Sequence, residues 1–252
     1  MQLTDNTIFI TGGASGIGRG LAEAFHKLGN QVIIAGRRKA LLDEVTAANP
    51  GMRSVELDIA DPQDIRAVAD WLIKEFPTLN VLVNNAGIMP FDDAAGAIDD
   101  AVMQNIINTN LYGPIRLSSA LIEHLKRQPR AVIVNNTSVL AFTPLAASAV
   151  YSASKAALHS YSLSQRFMLR NSSVKVQEIA PPWVNTDLIG KTDDPRAMAL
   201  APFIEQTMQA LATDAEEAVV EAARPLRDNA GPKEHGLVHG FNQMLVDNPI
   251  EL

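Results

Sequence analysis

Six short runs rich in β-branched residues alternate with longer segments of helical periodicity, and this alternation limits the fold more than any other feature of the chain. The runs are 7–11, 31–35, 54–59, 80–85, 131–136 and 175–180. Several are apolar at successive positions, as expected for strands that helices cover on both faces. The sequence therefore predicts a Rossmann-type, doubly wound parallel sheet with strand order 3-2-1-4-5-6, a possible seventh strand and helices on both faces.

The helical segments between these runs complete a single predicted domain over residues 1–252. Two long patterns, at about 98–126 and 151–170, are expected to pack against the sheet and to expose a second apolar stripe. The segment at about 187–210 contains Gly, Asp and Pro and is predicted to be a lid over a substrate. The closing stretch fits either a helix or a short strand.

Composition excludes several classes of function. The chain has 252 residues, 47% hydrophobic and 19% charged, which is typical of a protein that folds throughout. Its net charge is 21 − 28 = −7, the wrong sign for a general binder of nucleic acid or anionic membrane. No apolar run approaches the ~20 residues of a membrane span. With no cysteine, we expect no disulfide, no thiolate metal site and a cytoplasmic location. No other metal site is predicted.

A glycine-rich turn, "FITGGASGIGRG", follows the first predicted strand and opens a helix. Gly12, Gly16 and Gly18 let the backbone turn sharply and approach a pyrophosphate, to which the helix offers unpaired N–H groups and the positive end of its dipole. The spacing differs from the commonest dinucleotide fingerprint. A tight turn without a ligand therefore stays an alternative.

Two arginines follow the second predicted strand, in "IIAGRRK". Gly36 stands where an NAD-binding protein often carries a carboxylate for the ribose, and Arg37 and Arg38 come next. Guanidinium groups bind a 2′-phosphate with charge-assisted geometry, so the sequence favours NADP(H) over NAD(H). Solvated arginines at the start of a helix are the alternative.

Tyr151 and Lys155 lie four residues apart, on one face of a predicted helix. A free phenol has a pKa of ~10 and exchanges protons poorly at neutral pH unless a cation favours its phenolate. Lys155 is placed to be that cation. A plain surface contact is the alternative for the pair alone.

Six motifs in order, covering almost the first 190 residues, resemble the short-chain dehydrogenase/reductase family in its single-domain branch. They are "TGGASGIG" (11–18), "NNAG" (84–87), Asn110 in "IINTN", Ser138, "YSASK" (151–155) and "APPWVNT" (180–186). The resemblance implies a catalytic set: Ser138 binds the substrate carbonyl, Tyr151 transfers the proton, Lys155 lowers the phenol pKa and holds the nicotinamide ribose, and Asn110 fixes a water that connects Lys155 to solvent. The segment 203–234 resembles a bacterial subgroup of DltE-like oxidoreductases.

The resemblance also implies a cofactor site built from the turn and the strand ends. Its residues are Gly12, Ser15, Gly16, Ile17, Gly18, Arg37, Arg38, Asp58, Ile59, Asn85, Ala86, Gly87, Tyr151, Lys155, Pro181, Val184 and Thr186. Two positions depart from the family. Ser15 stands where many NADP-preferring members have a basic residue, and Pro182 replaces a common glycine, which should narrow the site.

The expected function is an NADP(H)-dependent oxidoreductase that interconverts a carbonyl and a secondary alcohol on a small to medium, mostly apolar substrate. The predicted substrate wall is Met89, Leu140, Phe142, Trp183 and Leu188, although each of them also suits ordinary core packing. A non-catalytic NADP(H)-binding redox sensor and an epimerase or dehydratase are the alternatives. The helices at 98–126 and 151–170 predict a homodimer, with a tetramer as a further option.

Overall fold

One seven-stranded parallel sheet, in the order β3-β2-β1-β4-β5-β6-β7, organises the protein. The structure is a computed structural model that describes residues 1–228 and 231–249. The strands are β1 Thr7–Thr11, β2 Gln31–Gly36, β3 Arg53–Glu56, β4 Leu79–Asn84, β5 Ala131–Asn136, β6 Val174–Ile179 and β7 Glu217–Ala218. The predicted fold, including its seventh strand, is confirmed. Residues 229–230 and 250–252 of the predicted 1–252 domain lie outside the described residues.

Helices cover both faces of this sheet. They are α1 Gly16–Lys27, α2 Lys39–Ala48, α3 Pro62–Glu75, α4 Asp100–Ile107, α5 Gly113–Lys126, α6 Ala149–Leu169, α7 Leu200–Leu211, α8 Arg224–Arg227 and α9 Glu234–Asp247. Strand β1 shows how the faces divide, because Ile8 and Ile10 pack with the α1 and α7 side while Phe9 packs with the α3 and α5 side. Every residue of β1 is buried, as the continuous apolar run predicts.

The segment predicted as one helix over 98–126 is interrupted. A π-helical turn, Asn108–Tyr112, separates α4 from α5. The junction is close-packed, since a Cβ added to Gly113 would lie 2.6 Å from Ile59 Cγ1 and 2.7 Å from the Ile59 carbonyl oxygen. Periodicity within the segment cannot report this contact with a loop that follows β3. The helix predicted at 151–170 is α6, which begins two residues earlier.

Helices α7 and α9, both in the C-terminal third of the chain, have different surroundings. Helix α7 packs against α1, where a Cβ on Gly20 would meet Ile204 at 2.7 Å. It contains residues 200–210 of the predicted lid. Helix α9 resolves the choice between helix and strand for the closing stretch, and none of its residues is fully buried. Among the described residues, no helix combines the length and the apolar character needed to span a membrane.

Candidate active site

A cavity of about 890 Å³ opens at the carboxyl ends of the strands, beside the point where the sheet order reverses between β1 and β4. Open α/β sheets bind ligands at this edge. Most residues predicted for the site line this cavity. The four that do not are Gly16, Gly18, Asn110 and Phe142.

The turn between β1 and α1 requires glycine for two reasons. Gly12 and Gly16 have φ angles of +66° and +52°, which L side chains rarely adopt. Gly18 has no space for a side chain, because a Cβ would lie 2.2 Å from the Gly12 carbonyl oxygen. Gly16 and Gly18 therefore shape the turn without facing the cavity.

The N-terminus of α1 is free to receive an anion. Ser15 is its N-cap residue in extended conformation, without a capping hydrogen bond from the side chain, and the first turn contains no acidic residue. The helix dipole and the unpaired N–H groups favour negative charge at this position. This end of α1 fits the diphosphate of a dinucleotide.

Next to it, Arg38 reaches back from the start of α2. Its Nη2 donates a hydrogen bond of 2.8 Å to Ser15 Oγ. Gly36 at the end of β2 adds no carboxylate, and Arg37 also lines the cavity. The Arg38 guanidinium and the Ser15 hydroxyl, with Arg37 on the same cavity, offer donors that suit a phosphate on the adenosine ribose.

Asp58 and Ile59 follow β3, which ends at Glu56 instead of the predicted residue 59. The Asp58 carboxylate accepts a hydrogen bond of 3.0 Å from Ala60 N, and the Asp64 carboxylate accepts one of 2.6 Å from Asp58 N. These bonds hold Asp58 and Ile59 as a fixed rim of the cavity.

The "NNAG" motif ties three strand ends together. Asn85 donates through Nδ2 to the Thr11 carbonyl oxygen at 2.9 Å and accepts through Oδ1 from Asn136 Nδ2 at 2.8 Å. Sequence analysis did not single out Asn136, whose carbonyl oxygen also accepts a hydrogen bond of 2.7 Å from Lys155 Nζ. The sequence does contain one indication of a role for Asn136, namely its position at the end of β5, two residues before Ser138.

Tyr151, Lys155 and Ser138 meet at the cavity, and the first two side chains are almost fully buried. Burial raises the pKa of Tyr151 to about 12, although hydrogen bonding to Ser138 opposes part of the rise. Burial also lowers the pKa of Lys155 to about 8. The Lys155 ammonium lies 5.7 Å from the centre of the phenol ring. Burial of the phenol is the largest influence on its pKa, and the expectation that Lys155 lowers this pKa stays a prediction.

Asn110 lies behind the cavity, in the π-helical turn. Its Nδ2 donates to the Ile88 carbonyl oxygen at 2.9 Å and to Ser154 Oγ at 3.2 Å, and its Oδ1 accepts from Ile88 N at 2.9 Å. Asn110 and Lys155 both lie near Gly87, since a Cβ on that residue would be 3.4 Å from Asn110 Oδ1 and 3.7 Å from Lys155 Nζ. Asn110 thus joins the loop after β4 to α6.

The start of α6 is capped from a distant loop. The Asp92 carboxylate accepts hydrogen bonds of 2.9 Å from both Ala149 N and Val150 N. Tyr151 is the next residue of the helix. A carboxylate at a helix N-terminus is favoured by the helix dipole, so Asp92 fixes the end of α6 that carries Tyr151. Sequence analysis missed it, since nothing near residue 92 indicates contact with residue 149.

Four of the five predicted substrate residues, Met89, Leu140, Trp183 and Leu188, line the cavity. Phe142 does not. Its ring lies between His159, with centroids 4.6 Å apart, and the Arg227 guanidinium, 3.9 Å from the ring. Leu140 lies within the 3-10 turn Val139–Ala141 and Phe142 directly follows that turn, and of the two only Leu140 lines the cavity.

Helix α9 supplies part of the cavity that sequence analysis did not assign. Phe241, Met244 and Leu245 all line it. The sequence does indicate an apolar helical face here, through the spacing of Leu237, Phe241 and Leu245. What that face covers cannot be read from spacing.

A separate polar cluster lies near Phe142. Ligand atoms of His159, Glu178 and Glu217 lie within 4.8 Å of one another, a grouping that could hold a metal ion. Both carboxylates are already engaged, Glu178 by Arg166 at 3.2 Å and Glu217 by Arg227 at 2.8 Å. We therefore describe this cluster as an ion-pair network.

Comparisons with known proteins agree with this arrangement. The family model for short chain dehydrogenases matches residues 6–197. The uncharacterized oxidoreductase DltE of Bacillus subtilis is 42% identical over 90% of this chain and 93% of its own. A short-chain dehydrogenase from Burkholderia cenocepacia in complex with NADP has a TM-score of 0.78 at 24% identity, and each chain is fully covered. One from Burkholderia phymatum in complex with NAD has a TM-score of 0.80 at 20% identity, with 100% of this chain and 99% of that one covered. These two structural likenesses concern the fold.

Proposed function

This chain belongs to the short-chain dehydrogenase/reductase family, and we propose that it is an NADP(H)-dependent oxidoreductase that interconverts a carbonyl and a secondary alcohol on a small to medium, mostly apolar substrate. The observation that carries the proposal is the group of Ser138, Tyr151 and Lys155 at one cavity, beside a helix N-terminus suited to a dinucleotide. Chemistry of this kind needs a proton donor next to a cofactor site. Tyr151 is that donor.

The protonation states suit reduction of a carbonyl at neutral pH. With a pKa of about 12, the Tyr151 phenol is protonated and ready to donate to the substrate oxygen. A nicotinamide cofactor bound in this cavity would supply the hydride in this direction and accept it in the reverse one. Ser138 hydrogen-bonds the same oxygen and holds it beside the phenol. Lys155, with a pKa of about 8, is mostly charged at pH 7 and stabilises the phenolate that remains after proton transfer.

The preference for NADP(H) rests on this chain's own side chains. Arg38 and Ser15 are in contact, Arg37 lines the same cavity, and Gly36 brings no competing carboxylate. Among similar folds, one structure holds NADP and another holds NAD. The fold alone therefore does not decide between NADP(H) and NAD(H), and we base the preference on these side chains.

We assign the substrate lid to the predicted segment 187–210, with its movable part at 187–199. Asp187, Leu188 and Ile189 line the cavity, and Gly190 has a φ of +93°. The later residues belong to α7, which packs on α1. A lid-deleted variant that keeps its substrate selectivity and turnover would contradict this assignment.

A homodimer is the assembly we propose, formed through α4, α5 and α6. Helix α6 leaves Leu163, Phe167 and Met168 exposed at 49%, 63% and 75%. Tyr112, at the start of α5, is 46% exposed. Apolar surface of this size on neighbouring helices suits an isologous contact. A tetramer remains a further option.

The test is NADPH oxidation against a panel of aldehydes, ketones and diketones, with NADH in parallel. Wild type is compared with Tyr151→Phe and with Tyr161→Phe, a control on α6 outside the cavity. We expect Tyr151→Phe to remove turnover while cofactor binding persists, and Tyr161→Phe to retain turnover. Tight NADPH binding with no turnover of any carbonyl by wild type would favour the redox-sensor alternative. Turnover without net change in nicotinamide absorbance would favour an epimerase or dehydratase.

A further inference from the structure

Helix α9 lies over the cavity as a cover held mainly by polar contacts. None of its residues is fully buried, so it adds little to the core. Asn242 connects it to the loop after β5, accepting a hydrogen bond of 2.5 Å from Ala146 N and donating one of 3.0 Å to the Pro144 carbonyl oxygen. At its other end, the carbonyl oxygen of Asn248 accepts a hydrogen bond of 2.7 Å from Arg196.

The face that α9 turns toward the cavity is apolar. Phe241, Met244 and Leu245 line the cavity there. Leu140 and Trp183, on loops from other strands, line the same cavity. Apolar side chains from separate elements that surround one space favour an apolar ligand group.

The charged residue in this part of the cavity does not favour an anionic substrate. Arg196 lines the cavity but forms an ion pair with Asp194, in which its Nε donates to both carboxylate oxygens at 3.0 Å. Its other nitrogens donate to the carbonyl oxygens of Asn248 and Pro249. The guanidinium group is thus used in holding the end of α9, and its charge is balanced locally.

We propose that α9 determines substrate specificity: Phe241, Met244 and Leu245 contact an extended apolar arm of the substrate, such as an alkyl or aryl chain attached to the reacting carbonyl. This inference rests on the proposed function, because the catalytic group defines where the carbonyl lies. It names a substrate class that combines a carbonyl or secondary alcohol with an apolar arm.

The first test is a series of methyl ketones whose second chain grows from ethyl to hexyl. Each methylene that becomes buried contributes a transfer free energy that corresponds to about a fourfold gain. We expect kcat/KM of the wild type with NADPH to rise by about that factor for each added methylene. Phe241→Ala should lower kcat/KM for the hexyl ketone at least ten times more than for the ethyl ketone, and Phe241→Leu should recover most of the difference.

The matched control is Val246→Ala, because Val246 is on α9 but 71% exposed. It should keep the chain-length dependence of the wild type. A Phe241→Ala variant that keeps this dependence, or that lowers kcat/KM equally for every ketone, would overturn the inference.

A second measurement separates this inference from the proposed function. Hydrogen exchange by mass spectrometry, with NADPH and the hexyl ketone, should slow at the α9 amides in wild type and not in Phe241→Ala. Protection of α9 without turnover would support contact between α9 and the apolar arm and contradict the reductase function. Turnover without chain-length dependence or protection would contradict the specificity role alone. If the wild type shows neither turnover nor protection of α9, the specificity role and the reductase function are both contradicted.

Discussion

The Arg38 guanidinium donates a hydrogen bond of 2.8 Å to the Ser15 hydroxyl and so brings the start of α2 to the glycine turn before α1. Twenty-three positions of sequence separate the two residues, yet both line one cavity beside Arg37. A hydroxyl and two guanidinium groups at one position can surround a phosphate with charge-assisted hydrogen bonds.

Arg38→Ala should therefore weaken the binding of NADPH more than the binding of NADH. Loss of hydrogen bonds to a charged group costs about 1.5–3 kcal/mol, which corresponds to a rise in KM for NADPH of about tenfold to hundredfold. The change in KM for NADH should be much smaller. Steady-state kinetics with both cofactors measure this, and Lys39→Ala is the control, because Lys39 pairs with Asp43 on the surface of α2. Equal losses with both cofactors would contradict the assignment of a 2′-phosphate site.

Lys155→Met should stabilise the cofactor-free protein while removing turnover. The pKa of Lys155 is lowered by burial from 10.5 to about 8, so below pH 8 the folded state carries a buried charge that the unfolded state keeps in water. This penalty disappears as pH rises from about 8 to 10.5, where the unfolded state binds more protons than the folded one. We expect the substitution to raise the free energy of unfolding by about 1–3 kcal/mol at pH 7 and by less at pH 10.

Chemical denaturation at the two pH values checks this result. Lys175→Met is the matched control, since the Lys175 side chain is 69% exposed and pairs with Asp214 at 2.9 Å. A gain in stability that grows with pH would contradict the stated cause.

Asp92→Ala should lower both stability and kcat. The substitution removes two hydrogen bonds at the start of α6, at a cost of about 1 kcal/mol in the free energy of unfolding. Because Tyr151 follows directly, we expect kcat to fall several-fold with little change in KM for NADPH. Asp92→Asn should rescue only part of kcat, because its amide has one acceptor oxygen for the two N–H groups that Asp92 binds.

Asp93→Ala is the control for this prediction, because the Asp93 carboxylate accepts a hydrogen bond from Ala95 N within its own loop. Thermal unfolding and steady-state kinetics are measured on all three variants. If Asp92→Ala lowers only the unfolding temperature and matches Asp93→Ala in kcat, Asp92 stabilises the helix without positioning Tyr151.

Phe167→Glu should dissociate the proposed dimer. Phe167 is 63% exposed on α6 and lies next to Met168, which is 75% exposed. A charge placed in an apolar contact must lose its hydration, so the dimer interface should not form. Light scattering after size-exclusion chromatography should give half the wild-type mass, whereas Gln209→Glu on α7 should give the wild-type mass. A monomeric wild type would contradict the dimer.

The agreement between sequence and structure depends on how local each signal is. The predicted bounds of β1 and β5 match those observed, because β-branched residues in a short apolar run carry the strand signal within the run itself. The predicted helix at 98–126 was wrong in its middle, where a π-helical turn carries Asn110. Gly113, the residue directly after that turn, packs on Ile59, a contact with no trace in the helical periodicity.

The predicted site divides in the same way. Motif residues such as Ser138, Tyr151 and Lys155 are brought together at the cavity, and their catalytic roles stay predictions until turnover is measured. Phe142 is excluded from the cavity by the turn that precedes it. Three residues of the site were missed: Asp92, Asn136 and Phe241. Each of them contacts, or shares the cavity with, residues that are too far away in the sequence for a local motif to include both partners.

The sequence by itself determined the order of strands and helices, the glycine turn, the chemical types of the candidate catalytic side chains and the family. These follow from short-range patterns, in which each residue's conformational preference and polarity act on its neighbours. Only the tertiary structure decided that Arg38 meets Ser15, that Asp92 caps α6 and that α9 covers the cavity. It also decided the pKa values of Tyr151 and Lys155, because burial and long-range contact arise when separate elements pack together.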